Sequence, residues 1–136
     1  MSLEDKIQDR LVADTESILQ SNLDQVEKLF QLHRDGTIDI SETYRDLDPE
    51  NRMLIYLIAQ RFANEGSIAD EDTIDSEYFY ERIDRKERTI RDYLQNLREA
   101  GIAKKEGRSD HRLIVENLPD ALDRLEEAVD SAGDDE

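Results

Sequence analysis

The chain has 136 residues, 35 of them acidic against 18 basic, for a net charge of −17, and it contains no cysteine. Its length fits one compact domain with an appendage. The longest uninterrupted apolar run, residues 53–59, falls well short of the roughly 18 needed to cross a bilayer, so no α-helical span is expected. Without thiols for disulfides and without an apolar leader core at its start, the chain reads as cytoplasmic.

Residues 3–33 hold neither proline nor glycine, and apolar side chains recur at helical spacing: Leu3, Ile7, Leu11 and Ile18 on one stripe, Leu19, Leu23, Val26 and Phe30 on another. The pattern predicts one long helix, or two broken near Ser21, where Asn22 and Gln25 fit a capping box. A periodic stretch of about 30 residues exceeds the usual globular helix, and packing on a partner chain competes evenly with packing on its own domain. His33 falls in the last turn before the stop at Asp35 and Gly36, where a cation near the carbonyl ends is favourable.

Residues 37–40 alternate polar and apolar and predict a short strand. Asp48 followed by Pro49 is a strong helix start, and the helix runs to Gly66. Its first half is apolar all round, which marks a central helix buried on several sides. Residues 67–75 read as a loop, and residues 76–83 as a short helix burying Phe79 and Ile83. Asp84 with Glu87 fits a capping box opening the next helix, in which Ile90, Leu94 and Leu97 form one stripe with Tyr93 at its edge, and Gly101 ends it. At 100° per residue, Arg88, Arg91, Asp92 and Gln95 face the other way, with Arg85 beside them.

Residues 102–105 and 111–115, joined by a turn over 106–110, predict a β-hairpin, with His111 expected at its surface. Leu118 and Pro119 begin a last helix with Leu122, Leu125 and Val129 on one stripe, before an acidic tail. The organisation is therefore an N-terminal helical segment over 1–35, a central domain over 36–117, a C-terminal helix over 118–130 and a tail over 131–136.

Positive charge is concentrated. Ten of the 18 basic residues fall within residues 82–112 against six acids, a local charge of +4, while the rest of the chain carries −21. A basic island in an acidic chain is the electrostatic footprint that nucleic-acid phosphates select.

The tract ERTIRDYLQNLREAGIAKK, residues 87–105, fixes core contacts at Ile90, Leu94 and Leu97, the helix end at Gly101 and the start of a strand after Ile102. With the helix before it and the hairpin after it, residues 76–115 resemble a winged helix-turn-helix domain, the helix that starts at Pro49 and contains Met53 preceding the motif. The turn between the paired helices departs from the family pattern, carrying Asp84 and Arg85 where a small and an apolar residue are usual. The acid-rich, lysine-poor, cysteine-free composition resembles that of proteins from salt-loving archaea; at about 1 M salt the Debye length is only ~3 Å, and the surrounding acidity barely repels DNA.

The resemblance implies a mainly α fold with a small β-hairpin, an α+β winged helix with N- and C-terminal helical extensions, binding double-stranded DNA as a transcription regulator. Helix 85–99 would enter the major groove and wing 102–115 would follow the backbone. Arg85, Lys86, Arg88, Arg91 and Gln95 are the expected groove contacts, since Arg or Lys reads guanine and Gln reads adenine, each good pair discriminating by about 1–3 kcal/mol. Lys104, Lys105, Arg108 and Arg112 suit phosphates. The competing reading of the same face is a solvated set of ion pairs, such as Arg88 with Asp92, worth about 0.2–0.5 kcal/mol each. A homodimer is expected, joined through residues 1–35 or the last helix, with reading helices about 34–36 Å apart.

No enzymatic role is expected, because His33 and His111 are the only histidines and there is neither a cysteine or zinc cluster nor a phosphate-cradling glycine loop. No cofactor or metal is expected. The alternative function is a protein-interaction adaptor that uses the same fold and its helical arms without binding DNA.

Overall fold

A computed structural model describes residues 2–11 and 14–133. The N-terminal periodic stretch is not one helix: it divides into α1 (Leu3–Leu11), α2 (Thr15–Ser21) and α3 (Leu23–Val26). Residues 12 and 13, between the first two, lie outside the described residues. Asp14 caps α2 by accepting the Ser17 amide at 3.1 Å. The expected capping box at Asn22 does not form, because that side chain turns back and donates to the Ile18 carbonyl at 2.7 Å, closing α2 instead of opening α3.

The helical reading also fails over residues 30–33. There β1 (Phe30–Leu32) pairs antiparallel with β2 (Ile38–Ile40), Phe30 opposite Ile40 and Leu32 opposite Ile38. The run Phe-Gln-Leu satisfies a two-residue period as well as a helical one, and the partner strand decides the outcome. His33 therefore caps no helix; its Nε2 meets Asp39 Oδ2 across the hairpin at 2.5 Å. Gly36, at φ +93°, makes the turn between the strands.

After the short α4 (Glu42–Arg45), α5 (Pro49–Glu65) starts at its proline and forms the centre of the molecule: Met53, Leu54, Ile55, Leu57 and Ile58 are fully buried. The N-cap Asp48 makes no side-chain bond to the helix amides and instead accepts from Asn51 Nδ2 at 2.7 Å. Then follow β3 (Ile74–Asp75), α6 (Ser76–Arg82), α7 (Glu87–Glu99), β4 (Ala103–Glu106) and β5 (Asp110–Leu113). The two-residue β3 lies where a loop was expected; it pairs with β5, making β5 the middle strand of a three-stranded antiparallel sheet in the order β3, β5, β4. A 3-10 turn (Val115–Asn117) leads into α8 (Leu118–Gly133), which extends past residue 130. Residues 134–136 of the expected acidic tail lie outside the described residues. The fold is α+β, mostly helical with two small antiparallel sheets, and no described helix is long and apolar enough to cross a membrane.

Two fastenings set the attitude of α7. Its apolar stripe, Ile90, Leu94 and Leu97, is buried, partly against α5. On its flank Asn96 Nδ2 donates to Glu50 Oε1 at 2.7 Å, at the start of α5, while the other Glu50 oxygen accepts from Arg124 of α8. Beyond α7 the chain reverses at Gly101, φ +77°, and the Asn117 side-chain amide donates to the Gly101 carbonyl at 2.5 Å. The reversal delivers β4 alongside α7.

Candidate functional site

Residues 83–86 join α6 to α7. Ile83 and Lys86 are extended, and the Arg85 amide donates to the Ile83 carbonyl at 2.8 Å, a tight turn. Lys86 is the N-cap of α7 and caps nothing with its side chain. The expected Asp84–Glu87 capping box is absent because Asp84 lies two residues ahead of that N-cap. The helix begins at Glu87, not at residue 85, so Arg85 and Lys86 stand exposed on the connecting turn.

The outward face of α7 carries Arg88, Arg91, Asp92 and Gln95, all exposed, opposite the buried stripe. Burying Ile90, Leu94 and Leu97 fixes which residues turn outward, since side chains on one face repeat every three to four positions. Arg88 and Asp92 are not paired; among the described residues no carboxylate lies within 4.0 Å of the Arg88 or Arg91 guanidinium. Gln95 donates to Glu99 Oε1 at 3.1 Å. Arg82, at the edge of the basic tract, lies 3.6 Å over the Tyr78 ring, away from this face.

The hairpin divides its cations between two sides. Lys105 lies opposite His111 and Lys104 opposite Arg112 in the β4–β5 ladder, and successive strand residues point to opposite faces. Lys105, with Arg108 from the turn, shares a cleft of about 410 Å³ with Arg91 and Arg98 of α7; Ser76 and Tyr80 of α6 wall its other side. Lys104 and Arg112 point the other way, where both approach Glu106 Oε1, at 3.7 and 2.9 Å, beside a separate cleft bordered by Thr15 and Arg61. The structure thus brings Arg91, Lys105 and Arg108 together, keeps Arg88 and Gln95 on the same helix face, and separates Lys104 and Arg112 from them. Arg98 was not among the expected site residues, although its position seven after Arg91, two helical turns on, was a readable signal.

His111 contradicts its expected surface position. It is 2 % exposed, facing inward beside Ser76. The Ser76 hydroxyl lies 3.1 Å from the Ser109 carbonyl and 2.9 Å from His111 Nε2. A carbonyl only accepts, so the single hydroxyl proton goes to Ser109 and His111 Nε2–H donates to Ser76 Oγ. Nδ1 is then the lone-pair nitrogen, buried without a hydrogen-bond partner. Burial first, then the positive charges of Arg98 and Lys105, push the His111 pKa down to about 4 against the opposing pull of Asp110 and Asp75. At neutral pH the imidazole is an uncharged part of the hairpin's inner face, below a rim of cations.

Comparison with protein-family models, with curated proteins and with solved structures gave no match.

Proposed function

We propose that the protein is a sequence-specific regulator of transcription that reads double-stranded DNA with a winged helix-turn-helix head, acting as a homodimer in the cytoplasm of a salt-loving archaeon. The order α5, α6, α7 and then the β4–β5 hairpin is the order that the resemblance implies and supports α6 and α7 as the helix pair and the hairpin as the wing. One observation carries the functional reading: α7 buries one side completely and turns Arg88 and Arg91 to solvent with no carboxylate within 4.0 Å among the described residues, while Lys105 and Arg108 stand on the neighbouring hairpin. Arg85 and Lys86 on the preceding turn, and Gln95 farther along α7, complete the surface. In molar salt, counterion release contributes little to affinity, so base-edge contacts by Arg88, Arg91 and Gln95 supply most of the selectivity.

The test is a fluorescence-anisotropy titration against genomic fragments in molar KCl. Replacing both Arg88 and Arg91 with Ala is expected to weaken binding about 30-fold or more, as loss of two base-reading side chains at about 1–3 kcal/mol each requires. Unchanged affinity in that variant sinks the proposal. A wild-type protein that ignores DNA but retains an acidic protein partner would favour the adaptor.

Within the homodimer, α1 is the better contact. The α8 stripe Leu118, Ala121, Leu122 and Leu125 is already buried in its own core, whereas Leu3 and Leu11 of α1 are 73 % and 78 % exposed. A monomeric mass by light scattering in molar KCl would refute the dimer.

A further inference from the structure

We propose that the cleft between α7 and the β4–β5 hairpin is an oxyanion site that seats one phosphate group. Four cations line it, Arg91 and Arg98 from the helix and Lys105 and Arg108 from the hairpin. Among the described residues none of the four has a carboxylate within 4.0 Å, in contrast to Lys104 and Arg112 on the other side of the same hairpin. Asp75 and Glu77 also border the cleft. Asp75 is held in local bonds, accepting the Glu77 amide at 2.9 Å and the Ser109 hydroxyl at 3.2 Å, and Glu77 is exposed. The lining charge is therefore +2.

Guanidinium and ammonium donors converging from two walls suit an oxyanion with several acceptor oxygens, and guanidinium groups present paired N–H donors to phosphate. The space, about 410 Å³, accommodates a phosphate together with part of the molecule that bears it. The imidazole of His111 beneath the rim already registers the field of this site, since Arg98 and Lys105 both act against its protonation. The same chemistry fits a phosphodiester of a docked duplex and a free phosphorylated small molecule. Arg91 and Lys105 belong to both surfaces, so a phosphate bound here competes with a duplex only where a phosphodiester of that duplex occupies the cleft. The site itself does not depend on the DNA-reading proposal.

The experiment is an NMR titration of the full chain with inorganic phosphate at constant ionic strength in KCl, paired with DNA anisotropy under the same additions. Saturable shifts at Ser76, Arg98 and His111, with the His111 pKa rising from about 4 as phosphate opposes Arg98 and Lys105, are expected. Replacing Arg98 and Lys105 with Gln weakens phosphate binding by about tenfold or more, while the Lys104→Gln, Arg112→Gln pair leaves it unchanged. Both variants sit at exposed or half-exposed positions, and their dispersed spectra report folding. Phosphate that binds and displaces DNA supports a site shared with the duplex; phosphate that binds without disturbing DNA supports a small-molecule site. Phosphate binding with no DNA binding under any condition would overturn the DNA reading and leave the site standing. Absence of saturable shifts, or shifts indifferent to Arg98 and Lys105, would overturn the site whatever DNA does.

Discussion

The two sides of the β4–β5 hairpin start from nearly the same chemistry and end differently. On one side Lys104 and Arg112 converge on Glu106, and half of their charge is compensated within the hairpin. On the other, Lys105 and Arg108 share a cleft with Arg91 and Arg98, none of them within 4.0 Å of a carboxylate among the described residues, and His111 is held neutral below them. Two adjacent lysines thus differ in availability because strand geometry sends one toward a carboxylate and the other toward more cations. Local charge density in a sequence measures how many cations are present; their pairing measures how many are free to act on something else.

The largest effect should come from undermining both sides together. Leu113 is buried next to this ladder, opposite Ala103, and Leu113→Ala should cost about 2–5 kcal/mol in stability, read from urea unfolding. A loss below about 1 kcal/mol would mean the hairpin is not part of the cooperative core. Next, on DNA affinity, Arg91→Ala with Lys105→Ala should weaken binding at least about 30-fold, and Lys104→Ala with Arg112→Ala by less than about threefold. Equal losses from the two pairs would erase the distinction between the sides.

A third test uses pH. His111 stays neutral in the folded chain down to about pH 4, whereas an ordinary histidine in the unfolded chain takes a proton near 6.5. Between those values the unfolded state binds more protons, so stability falls as the pH drops through 6.5, and this residue adds no further loss below about 4. His111→Gln keeps an N–H donor for Ser76 and removes the titration. The wild type should therefore lose stability relative to the variant by at most about 1.4 kcal/mol per pH unit across that window, and parallel curves would contradict the buried, neutral assignment. The smallest effect is expected from Glu106→Gln, which frees Lys104 and Arg112. Stability should change by less than about 1 kcal/mol, as for partly exposed pairs, and DNA affinity by less than about threefold if that side faces away from the duplex.

What was legible in the sequence was local. Pro49 after Asp48, the stripe Ile90, Leu94 and Leu97, and Gly101 each act within a few residues, and the helices and the reversal follow them. The strands at residues 30–32 and 74–75 were not legible, because two or three residues become a strand only when a distant segment pairs with them: Phe30 with Ile40, and Ile74 with His111. The burial of His111 depends on Ser76, 35 positions away, and no local pattern announces it. The outward face of α7 followed directly from helical period. The cleft needed both that period and the hairpin register, and Arg98, half-buried at its wall, lies off the most exposed face of α7 and joins the site only through the hairpin packed beside it.

Glu50 carries a mechanical implication. One of its oxygens holds the flank of α7 and the other grips Arg124 of α8, whereas the tip of the hairpin is tied to α6, where the Ser76 amide and hydroxyl donate to the Ser109 carbonyl. The helix wall of the cleft is thereby tied to the far end of the chain through one carboxylate.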